Sequence, residues 1–138
     1  PAGCINPLTS DHWVIFNSAD QRVTAFRKRG EEDIWTSIDV SGQAPVPLVS
    51  PGTHPACFTN IFSGVFVISF TGTDGHIWQL SYDGASWSSV DVSGEAPVDY
   101  AAFGTSPSGF VNVMNGEHFF SFIGSNARIQ SLNYVYQP

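Results

Sequence analysis

The residues of this 138-residue chain best suited to chemistry beyond packing are its four tryptophans, four tyrosines and four histidines. Trp78, Gln79, Tyr82, Asp83 and Trp87 fall close together, and Trp35 lies in a near copy of the segment that holds Trp87. An indole stacks on the apolar C–H face of a sugar ring, while planar amides and carboxylates take paired hydrogen bonds from its hydroxyls. Trp78, Gln79, Tyr82, Asp83, Trp87 and Trp35 are therefore the candidate carbohydrate-binding residues. The alternative role for Trp35 and Trp87 is packing between sheets. His12, His54, His76 and His118 are scattered without the close spacing of a metal motif. Glu31, Glu32 and Asp33 are consecutive, whereas a glycosidase needs two carboxyls facing each other across a cleft. No nucleophile elbow or phosphate loop occurs. A non-catalytic protein without cofactor or metal is expected.

Charge and composition narrow the class further. The formal net charge is −7, from five basic and twelve acidic residues, so nucleic acid is not an expected partner. Arg22, Arg27, Lys28 and Arg29 lie near one another and are followed by the three acidic residues, which reads as a solvated strand and loop. Apolar runs are only a few residues long, so no membrane insertion is expected. Thirteen glycines and nine prolines indicate a turn-rich globular chain, and its length suits one domain. Cys4 and Cys57 sit in short apolar segments where cysteine acts as a small hydrophobe, and buried free thiols are expected.

The elements that must position these residues are strands. In residues 65–94, VFVISF is a strand-length apolar run, Thr73-Asp74-Gly75 is a tight turn, HIWQLSY alternates between two faces, and Asp83-Gly84 turns the chain into WSSVDV. The segment recurs. WTSIDVSGQAPV (35–46) matches WSSVDVSGEAPV (87–98), PAGCIN (1–6) matches PACFTN (55–60), and RVTAF stands in the place of HIWQL. A more divergent third copy aligns YAAFGT (100–105) with PACFTN, FVNVM with FVISF, FFSFIG with HIWQL, and RIQSLNYV (128–135) with WSSVDV. Phe103 then stands at the cysteine position of the third copy. The expected domain, 1–138, thus comprises three four-stranded antiparallel repeats, 1–52, 53–98 and 99–138, joined by proline-bearing links. Trp78 has Thr24 and Phe120 as its counterparts in this alignment, so the fold does not require an indole there.

Repeats of this size with four strands each describe propeller blades. GTDGHIWQLSYDGASWSS followed by DVSG resembles the blade repeat of the bacterial and fungal propeller lectins, namely the fucose-binding lectins like that of Aleuria and the Photorhabdus and Psathyrella lectin-like groups. The resemblance implies monosaccharide pockets between neighbouring blades and glycans as partners. It also implies an arginine in the second strand, a glutamate in the third and a tryptophan opening the fourth. Here Val67 stands at the arginine position of the second copy, and Ala25, Gln79 and Ser121 stand at the glutamate positions. Trp35 and Trp87 keep the tryptophan, with Arg128 in the third copy. A standard fucose site is not expected.

The fold expected is therefore all-β and propeller-like, with three blades per chain. Propellers close with about four to eight blades, so three would leave apolar faces bare. A homodimer forming one ring is the expected remedy, and a β-trefoil, which closes within one chain, is the alternative. The expected function is that of a lectin made effective by multivalency, the alternative being a propeller that binds protein. A secreted or cell-surface location suits the former.

Overall fold

A short asparagine-led turn sets the register of every repeat. Asn6 and Asn60 end their strands, Asn112 directly follows one, and each accepts the backbone N–H two residues on, from Leu8 (3.0 Å), Phe62 (3.0 Å) and Met114 (2.9 Å). In the same turn the chain takes a positive φ at Ser10, Gly64 and Gly116, whose N–H groups bond back to the carbonyls of the three asparagines, and returns as the second strand. The computed structural model describes residues 1–95 and 99–134.

Strands β1 (Ala2–Asn6), β2 (Asp11–Asn17), β3 (Val23–Lys28) and β4 (Trp35–Asp39) form one antiparallel sheet in chain order. β5 (Ala56–Asn60), β6 (Val65–Thr71), β7 (Ile77–Tyr82) and β8 (Trp87–Asp91) form a second. β9 (Ser108–Val111), β10 (His118–Ile123) and β11 (Ile129–Tyr134) form a three-stranded third. Each sheet is a contiguous stretch of chain, and among the described residues ladders do not run from one sheet to another. Isolated bridges, Val49 with Gly72 and Ala101 with Gly124, fasten the links onto the following blade. This is a propeller-like arc of blades and lacks the shared barrel of a trefoil. No described helix is long and apolar enough to cross a membrane.

The third repeat departs from the expected alignment by a full strand. Residues 100–105, expected as its first strand, are link and turn, and β9 pairs with β10 as β5 pairs with β6. The counterpart of Cys57 in this blade is therefore Gly109, not Phe103. A Cβ on Gly109 would come within 2.9 Å of the Phe58 ring, so only glycine fits there without a shift. Residues 128–134 belong to the turn and third strand, not the fourth. Residues 96–98 of the second link and Val135, the end of the expected last strand, lie outside the described residues.

Two apolar layers hold the blades together. Trp13, Ile15, Val23 and Ala25 of the first blade meet Phe66, Ile68, Phe70 and Leu80 of the second. Val65, Val67 and Ile77 on the other side of the second blade meet Phe120, Phe122 and Leu132 of the third. Covered on both faces, β6 is buried at every position, which is why VFVISF reads as a run and not as an alternation. Trp13 stacks on Phe66 with ring centroids 4.4 Å apart.

The first strands β1, β5 and β9 lie side by side. There Cys4 and Cys57 form a disulfide between the first two blades, with a Cα–Cα distance of 6.2 Å, in place of the expected free thiols. Cys4 lies opposite Trp13 and Cys57 opposite Ile68, one residue out of register between the two first strands, and the sulfurs still meet across the blades.

The two end faces repeat the chemistry of the buried ones. His12, Val14 and Phe16 occupy the positions of Phe66, Ile68 and Phe70, yet face outward from the first blade with Phe26 and Trp35 beside them. Phe110, Phe119, Ile123 and Ile129 line the outer face of the third, and Ile129 is 83% exposed.

Candidate binding cleft between the first two blades

Period-2 alternation places Asp11, Trp13 and Ile15 on the inner face of β2, and Val23, Ala25 and Arg27 on that of β3. Two opposite charges thus enter an apolar layer at its rim. Arg27 Nη2 lies 2.5 Å from Asp11 Oδ2, with Nε at 3.1 Å from the same oxygen. The guanidinium also sits over the Trp13 ring (4.9 Å) and the Tyr82 ring (5.1 Å), and Nη1 donates to the Tyr82 hydroxyl at 3.4 Å. Burial opposes its charge, but the hydrogen bonds it donates to Asp11 and Tyr82 prevail and raise its pKa. The arginine is held rigid from three sides.

Tyr82 ends β7 and Trp87 opens β8 directly opposite, because Asp83 accepts the N–H groups of Ala85 and Ser86 (2.8 Å each) and tightens the turn between them. Those bonds, Ser86 first, lower the Asp83 pKa, so this carboxylate is committed to the turn. The Tyr82 and Trp87 rings lie 4.9 Å apart, and both meet the edge of Trp13. Together with Arg27, Arg29, Ser37, Asp39 and Gln43 they line an open cleft of about 430 Å³ between the blades. Asp39 is kept ionised by the Arg22 guanidinium, whose Nη2 is 2.6 Å from it. An indole, a phenol, an amide, a carboxylate and a cation thus converge on one concave surface.

The sequence candidates do not all gather here. Tyr82 and Trp87 meet in the cleft, and Asp83 shapes its wall. Gln79 is fully buried between the second and third blades, where its Oε1 accepts from His118 Nδ1 (2.8 Å) and its amide donates to Ser81 (2.9 Å). It has no surface to offer a ligand, a correction that follows from its place on the face opposite Tyr82. Trp78 lies at the other end of β7, with its indole N–H on Asp74 Oδ2 (3.0 Å). Trp35 stands on the outer face of the first blade, 48% exposed. The corrected register moves the third glutamate position from Ser121 to Ser131, and Arg128 from the tryptophan position to that of His76 and Arg22. Arg27, Asp11 and Gln43 were missed by the sequence reading. The signal for the first two was there, in opposite charges at inward-facing positions of adjacent strands.

His118 joins the second and third blades. Its Nε2 accepts from Asn60 Nδ2 (3.0 Å) while Nδ1 donates to Gln79, a set of partners that fixes the neutral tautomer. Burial lowers its pKa to about 4.

No known family profile matches the chain, and no curated protein is similar to it in sequence. The chain is similar in shape to solved structures, two of which are described below. A fucose lectin from Kordia zhangzhouensis, in complex with methyl-fucoside, superposes with a TM-score of 0.63 at 12% identity, over 96% of this chain and 90% of that one. A triple arginine-to-alanine mutant of AofleA from Arthrobotrys oligospora superposes with a TM-score of 0.64 at 14% identity, over 96% of this chain and 37% of that one. Taken with the three successive antiparallel sheets, these likenesses show that the chain has the propeller-like, lectin-type fold.

Proposed function

We propose that this chain is a non-catalytic carbohydrate-binding protein whose principal site is the cleft between the first two blades. The observation that carries it is the Tyr82–Trp87 pair at the cleft, backed by an arginine locked against Asp11. A sugar ring laid on Trp87 would present its hydroxyls to Gln43, Asp39 and the outer edge of Arg27. Free fucose is a poor competitor on this proposal. Trp13, Val67 and Phe119 fill the positions where the lectins it resembles carry arginine, and Ala25, Gln79 and Ser131 those of glutamate. A glycan array with multivalent display of the protein tests the proposal, with Trp87→Ala as control. Binding to a subset of glycans that the substitution abolishes supports it. An empty array, or binding indifferent to Trp87, refutes it and favours a protein-binding blade module.

The working form proposed is a dimer of twice 14.9 kDa, closing one ring. Asn6 Nδ2 donates to the Gly64 carbonyl of the next blade, and Asn60 Nδ2 to that of Gly116, both at 3.2 Å. Asn112 is the third of this series and has no such acceptor among the described residues. The first blade of a second copy would supply one at Ser10. Burying even a few hundred Å² of each apolar end face, at about 25 cal/mol per Å², contributes several kcal/mol. Light scattering at micromolar concentration should give about 30 kDa, and a stable monomer contradicts the ring. The disulfide suits an oxidising, secreted or cell-surface setting.

A further inference from the structure

The turn before β7 holds a second cluster, at the opposite end of that strand from Tyr82. His76 Nδ1 lies 2.7 Å from Asp91 Oδ2 and 3.8 Å from Asp74 Oδ2, and one ligand atom from each of the three residues lies within 4.8 Å of the others. The three side chains are held in place by separate contacts. Asp91 Oδ1 accepts the Gly94 N–H (2.9 Å), Asp74 Oδ1 accepts the His76 N–H (3.0 Å), and Trp78 Nε1 donates to Asp74. The imidazole is stacked on Tyr100, centroids 5.5 Å apart and planes 22° from parallel. Asp91 Oδ2 and His76 Nδ1 meet each other, and Asp74 Oδ2, which also accepts the Trp78 indole N–H at 3.0 Å, lies near both, so a cation entering here would take over these contacts.

The sister blades show what that point accommodates. In the first blade Arg22 stands at the position of His76, between Asp20 and Asp39, with its Nη2 2.6 Å from the latter. In the third blade the same position is Arg128. Two blades therefore carry a permanent cation in this turn, and the second carries an imidazole flanked by two carboxylates. Replacing a guanidinium by the imidazole keeps the two carboxylates and puts a nitrogen able to ligate a metal between them.

We propose that Asp74, His76 and Asp91 bind a divalent transition metal of the zinc class. A mixed imidazole–carboxylate set suits zinc, nickel or copper. Bonds of about 2.0–2.2 Å to zinc require ligand atoms a little over 3 Å apart, which the present separations bracket. Three protein ligands leave a coordination position open to water or to an oxygen ligand. The proposal is independent of the sugar cleft.

The test is calorimetric titration of the oxidised protein with zinc chloride, paired with copper quenching of tryptophan fluorescence. Wild type should bind zinc saturably, and copper should quench Trp78, which touches Asp74. His76→Arg installs the residue the other blades use, so it should fold with unchanged thermal stability and lose the binding. Tyr100→Ala, which frees the ring without removing a ligand, should weaken binding about tenfold. Trp78→Phe should bind zinc while losing most of the quench. The proposal is overturned by absence of saturable binding in wild type, or by His76→Arg with wild-type affinity. In that second case the imidazole is not a ligand.

Discussion

Replacing Cys4 and Cys57 together by alanine should cost about 4 kcal/mol of stability. The disulfide closes a loop of 53 residues, comprising the first blade and its link to the second. In the chain-entropy treatment a loop of that length lowers the entropy of the unfolded chain by about 14 cal/mol/K, or about 4 kcal/mol at 25 °C. The two side chains are only partly buried, so truncating them removes little packing. Guanidinium denaturation followed by tryptophan fluorescence, at one fixed protein concentration, measures the difference. The m-value should rise in the variant, because an uncrosslinked denatured chain exposes more surface. Dithiothreitol should shift wild type to the same curve. A loss below about 1 kcal/mol, or a wild-type curve untouched by reductant, would refute the bond or its role in restraining the unfolded chain.

Asp11→Ala should destabilise the fold by about 3 kcal/mol, because Arg27 would keep its charge against two aromatic rings without a carboxylate. Arg27→Met with Asp11→Leu should recover much of that loss, read from the same denaturation curves. Trp78→Ala should leave glycan binding intact, since Trp78 lies away from the cleft, whereas Trp87→Ala removes it; competition on an array separates the two. Stability should fall as pH drops from about 6.5 to about 4, because the unfolded state binds a proton at His118 that the folded state refuses until near 4. The contribution is complete above the unfolded pKa and amounts to at most about 3 kcal/mol. His118→Gln should flatten that part of the profile without removing the carboxylate titration below it. Phe110→Glu, on the outer face of the third blade, should yield a monomer by light scattering while keeping the far-ultraviolet spectrum.

The first two blades were legible in the sequence because their copies are close and their turns carry the same side chains. Trp35 and Trp87 introduce strands β4 and β8 where the repeat places them. The third blade was misread because apolar content is a poor register mark. HFFSFI is as good a match to HIWQLSY as to VFVISFT when only hydrophobicity is weighed, and a strand shift leaves both plausible. The polar turn residues carry the register instead. Asn6, Asn60 and Asn112 bond their own turns, and Asp74 and Asn126 repeat the pattern in the next one. The cleft was half legible. Tyr82 and Trp87 are cross-strand neighbours within one repeat, but Arg27 reaches them from the preceding blade, and no spacing along the chain reports a contact between sheets. Gln79 was misplaced for a related reason: alternation gives two faces without saying which of them a neighbour will cover.

Blade number in a ring is an angle before it is a count. Because each sheet here is made from its own stretch of chain, no strand is lent across a junction to fix how many units follow. The opening between successive blades is set where β1, β5 and β9 converge, by the bridge of Cys4 to Cys57 on one side and the absent side chain of Gly109 against Phe58 on the other. In the proposed dimer two such junctions would together turn the chain far enough for a second copy to meet both ends, about 60° for each of six blades. A residue larger than glycine at position 109 would pry the axis open on one side. The end faces would then meet out of plane, and successive copies would climb into an open helix in place of the proposed closed pair.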